Sequence, residues 1–408
     1  MALGKLWTIA WRDLGRNKRR SLFSILAVAL GLALLIVLNG FIAGMVEGAL
    51  QNSIRLETGH VQLRAASYEE EKTSLQWKDL LDNPQGLTEQ ANAMDEVKIA
   101  APVLWASGYL NTRDEAVGIR IFGVDTTSGL YQPFREAMVE GEFLDADDRS
   151  GILIGKRLAD SLELGVGDTV NLAVINSDGQ PDESPFTIRG FYSTGVFSYD
   201  DSAAFMPLSK AQAFTNTGGR ASAVTMLLNE QENAEAVAAA LQSPGVSALT
   251  WRKLNEVFLV TLDAALSFYV IIYGIVILIV AVIIANTLLM AVFERIREVG
   301  ILAALGMKGR QISLMFLIEA AILGVAGVLL GNILGSAGVA YLASSGISTG
   351  ETGAVAADIA IGATMYAKFD PGGMFSLSAW TLIITLLAAL YPAWYASRLE
   401  PVEALHSF

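Results

Sequence analysis

Four stretches of this chain are long, apolar and nearly free of charge, and together they restrict its architecture more than any other feature. They are Ser21–Val46, Ala264–Phe293, a run over about 311–343, and Pro371–Ser397. Each can cross ~30 Å of hydrocarbon, which takes ~20 residues of helix. Lipid admits only backbone whose hydrogen bonds are satisfied internally, so each run must be helical. Glu319 is the one charge inside them. With 53% hydrophobic residues and a mean hydropathy of +0.45, the chain does not fit an ordinary soluble protein. An even number of spans puts both termini on one side.

Charge asymmetry indicates which side. Residues 1–20 carry Lys5, Arg12, Arg16, Lys18, Arg19 and Arg20 against Asp13 alone, and residues 294–310 carry four bases against two acids. The positive-inside rule assigns both segments to the cytoplasm. Residues 47–263 carry 32 acids against 16 bases, so a large acidic segment is expected outside. Its acidity argues against nucleic acid as a partner. A leader of 20 residues before a long apolar run reads as a retained anchor rather than a cleaved signal. With no cysteine, thiol catalysis, disulfides and thiolate metal sites are excluded.

The expected fold is a polytopic α-helical membrane protein with four transmembrane helices and a large α+β periplasmic domain between the first and second. Residues 1–20 form an amphipathic cytoplasmic helix with Leu3, Leu6, Trp7, Ala10, Trp11 and Leu14 on one side. The spans are 21–46, 264–293, 311–343 and 371–397. The periplasmic domain is 47–263, with helical stalks at both ends. Strand-like runs are His60–Arg64, Lys98–Ala106, Gly118–Gly123, Gly151–Ile154, Thr169–Ile175, Phe186–Phe191, Ala203–Pro207 and Ala221–Leu228. Helices are predicted at Gly155–Leu162, Ser209–Phe214 and Glu232–Gln242. A second periplasmic loop covers 344–370 and a cytoplasmic tail 398–408.

Between the second and third spans lies ERIREVGILAALGMKGR, 294–310. Val299, Ile301, Leu302 and Leu305 form an apolar patch at helical spacing, and Gly306 is a helix stop. The segment is either a helix that receives force from a soluble partner or a basic loop that fixes topology. Gly324, Gly327, Gly331 and Gly335 allow close helix approach, either within the chain or in a dimer. Gly40, Gly44 and Gly48 do the same on the first span.

Catalytic chemistry finds little support. No phosphate-binding loop is present, and the two histidines, His60 and His406, fall in different compartments. His60 reads as an ordinary polar strand residue. Asp147-Asp148 and Asp200-Asp201 lie beside turn signals and read as solvated turns. Glu319 should be partnered, protonated or near the interface, with a structural role favoured over a proton relay.

Two motifs carry a resemblance to a known family. One is ERIREVGILAALGMKGRQISLMFLIEAAILGVAGVLLG, Glu294–Gly331. The other is YPAWYASRLEPVEALHSF, Tyr391–Phe408. With one span, a large external domain and three further spans, the chain resembles the FtsX/MacB/LolCE permeases of mechanotransmission ABC systems. The stretches 97–110, 117–125, 151–172 and 191–214 are most similar to the lipoprotein-releasing LolC/LolE branch. It departs in lacking MacB's fused ATPase, in having a domain larger than that of FtsX, and in a longer loop over 344–372.

The resemblance implies a non-catalytic permease in the bacterial inner membrane. It implies that Glu294, Arg295, Arg297, Glu298, Val299, Ile301, Leu302, Leu305 and Gly306 form a coupling helix on a separate ATPase. The tail around Arg398–Leu405 lies near the same surface. Implied partners are two ATPase copies, a second permease (identical or a paralogue), lipidated cargo, and a periplasmic carrier or adaptor. ATP and Mg stay on the ATPase, with no cofactor on this chain. Phe41, Met45, Phe258, Leu262 and Phe268 either line a cargo cavity or face lipid. Transport of drugs or peptides, or signalling to a cell-wall hydrolase, are the alternatives.

Overall fold

Strand-forming and helix-forming stretches of this chain separate into two units. A computed structural model describes residues 3–68, 73–348 and 362–398. One unit comprises 1–46, 262–347 and 366–408, and the other 47–261 and 348–365. Most of the 344–370 loop, and the tail beyond Arg398, lie outside the described residues.

Among the described residues, four helices of or running into the first unit are long and apolar enough to cross a membrane. These are Lys18–Ser53, Glu256–Glu294, Gly309–Ser345 and Pro371–Ser397. The first and third begin earlier or end later than their uncharged runs, so Arg20 lies in the first turn of a helix. A shorter helix, Leu3–Arg16, precedes them. Its apolar side is divided: Ala10 is buried and Leu14 partly so, while Trp7 and Trp11 are exposed. The side chains of Leu3 and Leu6 lie outside the described residues.

The glycine series on the third long helix packs within the chain. A Cβ on Gly327 would stand 2.6 Å from Val28 Cβ, and one on Gly331 2.9 Å from the Ala29 carbonyl. One on Gly335 would stand 2.8 Å from Ile36 Cβ. Val28, Leu32 and Ile36 repeat every four residues, so one helix ridge seats on the glycine face of the other. Gly324 faces Thr385 and Leu382 of the fourth helix. Asn332 Nδ2 donates to Ser378 Oγ at 2.9 Å across the same pair. Gly40 approaches the third long helix and a loop backbone together: a Cβ there would meet Val339 Cγ2 at 2.9 Å and the Lys368 carbonyl at 3.0 Å. Gly44 approaches backbone alone, where a Cβ would clash with the Tyr366 carbonyl. Gly48 has nothing within 4 Å.

The second unit is a mixed α/β domain around one ten-stranded sheet. Its strands are β1 (Val61–Ala65), β2 (Val97–Asn111), β3 (Ala116–Val124), β4 (Met138–Gly141), β5 (Gly151–Gly155), β6 (Thr169–Ile175), β7 (Pro181–Tyr192), β8 (Ala203–Pro207), β9 (Ala223–Leu228) and β10 (Val246–Thr250). The order is β10-β1-β9-β2-β3-β8-β5-β7-β4, with β6 pairing both β2 and β7. The β3–β8 and β5–β7 pairs are parallel and the other pairs antiparallel. Short helices at Lys156–Ser161, Leu208–Phe214 and Ala234–Leu241 coincide with predicted ones, and Pro84–Asn92 is an additional helix. Fully apolar strands such as β5 and β8 are buried along their whole length.

Phe134 is buried beside Phe205, with ring centroids 4.4 Å apart, and meets Tyr192 and Tyr199 edge-on. Asp200 departs from the solvated turn expected of it. It is 1% exposed and accepts from Thr194 N, Thr194 Oγ1, Gly195 N and Ser193 Oγ. Burial holds its carboxyl above the ordinary value despite these donors. The expectation failed because its four donors come from a turn five to seven residues upstream, which no charge pattern reveals. Asp148 does cap a turn, accepting from Ser150 N and Gly151 N and pairing with Arg189 at 2.7 Å.

Candidate functional site

The segment between the second and third long helices folds as a short helix, Ile296–Ala304. Its C-terminal turn follows from Gly306, at φ +93°. Gly306 N donates to the Ala303 carbonyl and Met307 N to that of Leu302, both at 3.0 Å, a Schellman closure that needs a left-handed residue. The next helix starts two residues later, where Gln311 Oε1 accepts from Lys308 N at 3.0 Å.

The helix has two distinct faces. Val299 and Gly300 are buried, and Leu302 and Ala303 pack beside Phe316, Ile312, Ala393 and Ala396. Arg297, Ile301 and Leu305 are exposed, Leu305 by 81%. They recur every four residues and so form one outward stripe.

Arg295, at the N-cap, is 5% exposed. Its guanidinium closely contacts Asp13, lies 3.2 Å from Glu298 and 3.5 Å from Glu319. Arg20 meets Glu294 at 2.6 Å and Glu319 at 3.8 Å, and Arg16 meets Glu298 at 2.6 Å. Three arginines and four carboxylates thus join the amphipathic helix, the first, second and third long helices and the short helix. Partial burial pushes the Glu298 carboxyl up, but hydrogen bonds from Arg16 and Arg295 outweigh it and hold the group below the ordinary value. Glu319, 1% exposed, is partnered by two arginines. A buried carboxylate is retained at modest cost only with such partners.

The nine residues expected to form a coupling helix therefore divide. Arg297, Ile301 and Leu305 face outward. Glu294, Arg295 and Glu298 enter the ion network, Val299 and Leu302 pack inward, and Gly306 closes the helix. Arg295, expected at the docking surface, is directed inward because three carboxylates surround it. Asp13, Arg16 and Arg20 were not singled out from sequence. Glu319, a lone acid inside a span, was the one signal that a nearby cation was required.

The five residues considered for a cargo cavity are dispersed. Phe41 and Met45 are half-buried on the first long helix, Leu262 is half-buried on the second, and Phe268 is 68% exposed. Phe258 lines a cavity of the domain. His60 Nδ1 accepts from Leu228 N at 2.9 Å, a structural contact.

Comparison with known proteins agrees with this architecture. The MacB-like periplasmic core domain family matches residues 21–243, and the FtsX-like permease C-terminal family matches residues 270–401. The chain is 25% identical over 416 residues to the lipoprotein-releasing system transmembrane protein LolC of Neisseria meningitidis, covering 94% of this chain and 93% of that one. It is 23% identical over 425 residues to LolE of Haemophilus influenzae, covering 98% of both. Over 123 residues it is 38% identical to the pyoverdine export ATP-binding/permease protein PvdT of Pseudomonas syringae, covering 30% of this chain and 16% of that one. The chain is thus a multi-pass membrane protein and belongs to the ABC transporter permeases of the FtsX, MacB and LolC/LolE type.

Proposed function

We propose that this permease extracts lipoproteins or related lipidated cargo from the outer leaflet of the bacterial inner membrane. ATP hydrolysis takes place on a separate ATPase present in two copies, which holds ATP and Mg; this chain binds no cofactor. Both termini and the Ile296–Ala304 helix face the cytoplasm. A second permease, identical or paralogous, completes the cargo path, and a periplasmic carrier or adaptor receives the cargo.

The observation that carries this reading is the outward stripe Arg297, Ile301 and Leu305 on a helix braced by a buried ion network. A leucine 81% exposed beside basic residues fits a groove on a partner protein. The brace lets a push on that stripe reach the third long helix through Glu319 and the first through Arg20. Extraction needs such a drive, because each buried CH₂ of an acyl chain contributes ~0.8 kcal/mol. Near full-length similarity to LolC and LolE supports lipidated cargo over other substrates. The shorter match to PvdT keeps export of periplasmic peptides or amphiphilic molecules as a second reading.

The test is mass spectrometry of what co-purifies with the tagged chain in lipid nanodiscs. A stoichiometric ATPase with acylated proteins is expected. An ATPase with an adaptor and no acylated protein would favour the second reading. Leu305→Glu should abolish ATPase recovery while leaving the thermal transition within ~0.5 kcal/mol of the parent, as exposed substitutions do. Full recovery of the ATPase with that variant would refute the docking stripe.

A further inference from the structure

The helix Leu3–Arg16 carries a surface that the packing of its own unit leaves open. Trp7 and Trp11 are 53% and 61% exposed. They stand four residues apart on the helix, so they form one stripe. The neighbouring side is covered: Ala10 is buried, and Ile9 packs with the cluster that contains Val299 of the short helix. Arg12 is exposed about 100° around the helix from Trp11. Lys18 and Arg19 follow, exposed in the first turn of the first long helix. Among the described residues, no carboxylate pairs with Arg12, Lys18 or Arg19.

Two indoles beside three exposed cations match the boundary of an anionic bilayer. Indoles settle at headgroup level, and Lys and Arg are drawn to anionic headgroups. Lipid is also the neighbour of this segment along the chain. Leu22 and Phe23, 54% and 70% exposed, open the first span just beyond Arg19. The other side of the same helix holds the short helix in place. Asp13 closely contacts Arg295, and Arg16 meets Glu298 at 2.6 Å. Arg295 is the N-cap of Ile296–Ala304, and Glu298 lies in its first turn. One helix therefore bears a surface suited to lipid on one side and the anchor of the short helix on the other.

We propose that Trp7, Trp11, Arg12, Lys18 and Arg19 bind the headgroup layer of anionic phospholipid, and that this contact steadies the helix Ile296–Ala304 through Asp13 and Arg16. Lipid that favours one position of the first helix also favours the ion pairs made in that position, and it shifts the equilibrium by its differential affinity. The anionic lipid content of the membrane then regulates how firmly the short helix is held. The consequence for the ATPase rests on the docking role proposed for Ile301 and Leu305, so the test reads neither transport nor ATP hydrolysis and either reading can fail alone.

The full chain in detergent is titrated with phosphatidylglycerol and with zwitterionic phosphatidylcholine, and retained lipid is counted by native mass spectrometry. Phosphatidylglycerol is expected to survive conditions that strip phosphatidylcholine. Replacing Arg12, Lys18 and Arg19 by Gln should weaken its retention about fivefold for each cation removed. Trp7→Ser with Trp11→Ser, which keeps every cation, should also lower retention and reports even if the cation variant misfolds. Hydrogen exchange is then followed in nanodiscs of phosphatidylcholine with and without phosphatidylglycerol. The anionic lipid should slow exchange over residues 296–304 by about fivefold or more. Glu298→Gln should reduce that slowing and leave retention as in the parent. Equal retention of phosphatidylcholine, or parental retention in the cation variant, would overturn the lipid surface. Exchange over 296–304 that ignores phosphatidylglycerol would overturn its link to the short helix.

Discussion

Phe134 in the domain and Gly331 in the third long helix both lie at the centre of their packing, but the physics differs. Phe134 is 2% exposed and holds three aromatic neighbours, so its contribution is apolar area removed from water. Gly331 contributes by having no side chain. Lipid tails are as apolar as leucine, so helices in a bilayer gain little from hydrophobic burial and rely on close contact. The Ala29 carbonyl and Leu32 side chain occupy the space a Cβ would fill. The same contrast extends to charge. The domain places most ion pairs at its surface, whereas the span-forming unit buries Arg295 and Glu319 together. Domain stability should therefore follow volume, and span stability should follow close approach and charge balance.

The largest effects test that contrast directly. Phe134→Ala should cost about 3–5 kcal/mol through cavity formation. Arg295→Ala should cost a similar ~3–5 kcal/mol, by taking the cation from Asp13 and leaving the buried Glu319 with Arg20 alone, 3.8 Å away. Thermal unfolding of the full chain in detergent measures both, and limited proteolysis assigns the loss to one unit. Rescue separates the causes. Adding Glu319→Leu and Asp13→Leu to Arg295→Met should restore most of the lost stability, whereas no charge change should rescue Phe134→Ala. Failure of the apolar triple to recover would mean that the network contributes through specific geometry, not charge balance.

A smaller pair sharpens the glycine argument. Gly331→Ala should destabilise by about 1–3 kcal/mol, as overpacking does. Gly48→Ala, with nothing within 4 Å, should stabilise by about 0.5–1 kcal/mol through helix propensity alone. The opposite signs can be read from the same melting assay. A destabilised Gly48→Ala would imply a contact partner outside this chain.

Legibility from sequence followed the range of the interactions. The four long helices were readable because charge is excluded over more than twenty consecutive residues, a local and strict rule. The helix after Glu294 was legible only as one of two alternatives: Gly306 marked its end, but its apolar residues divide between an inward and an outward side rather than forming the one patch expected. Strands β5 and β8 were readable as short apolar runs between turn signals. β4 and β10 were not, because Met138–Gly141 is largely exposed and Val246–Thr250 only half-buried, so neither carries a burial pattern. The partners of Arg295 were also hidden. Asp13 lies more than 280 positions upstream, and helix periodicity is silent on which helix neighbours which. Glu57, which pairs with Arg120 at 3.2 Å, was illegible for a related reason: it lies in a π-helical turn, Ile54–Thr58, whose register a regular helix pattern does not reveal.

The smallest predicted effect concerns pH and separates the two units again. The buried network of the span-forming unit uses only arginine, aspartate and glutamate, whereas the domain holds His60, one of two histidines in the chain. Burial pushes the His60 imidazole below its ordinary value, partly opposed by Glu232. Its Nδ1 accepts from Leu228 N, so a proton there would break the bond. The folded domain then binds fewer protons at His60 than the unfolded chain, and stability rises with pH through that window. It should be complete above ~6.5, fall as pH drops through the ordinary histidine value, and level off below the depressed one. Denaturant midpoints of the full chain, measured between about pH 7 and 5, should show this slope. His60→Asn, whose amide oxygen can still accept from Leu228 N, should flatten it. His406→Asn should leave it intact. A slope that survives His60→Asn would refute the assignment to His60; Asp200, a buried acid held above its ordinary value, would give a slope of the opposite sign.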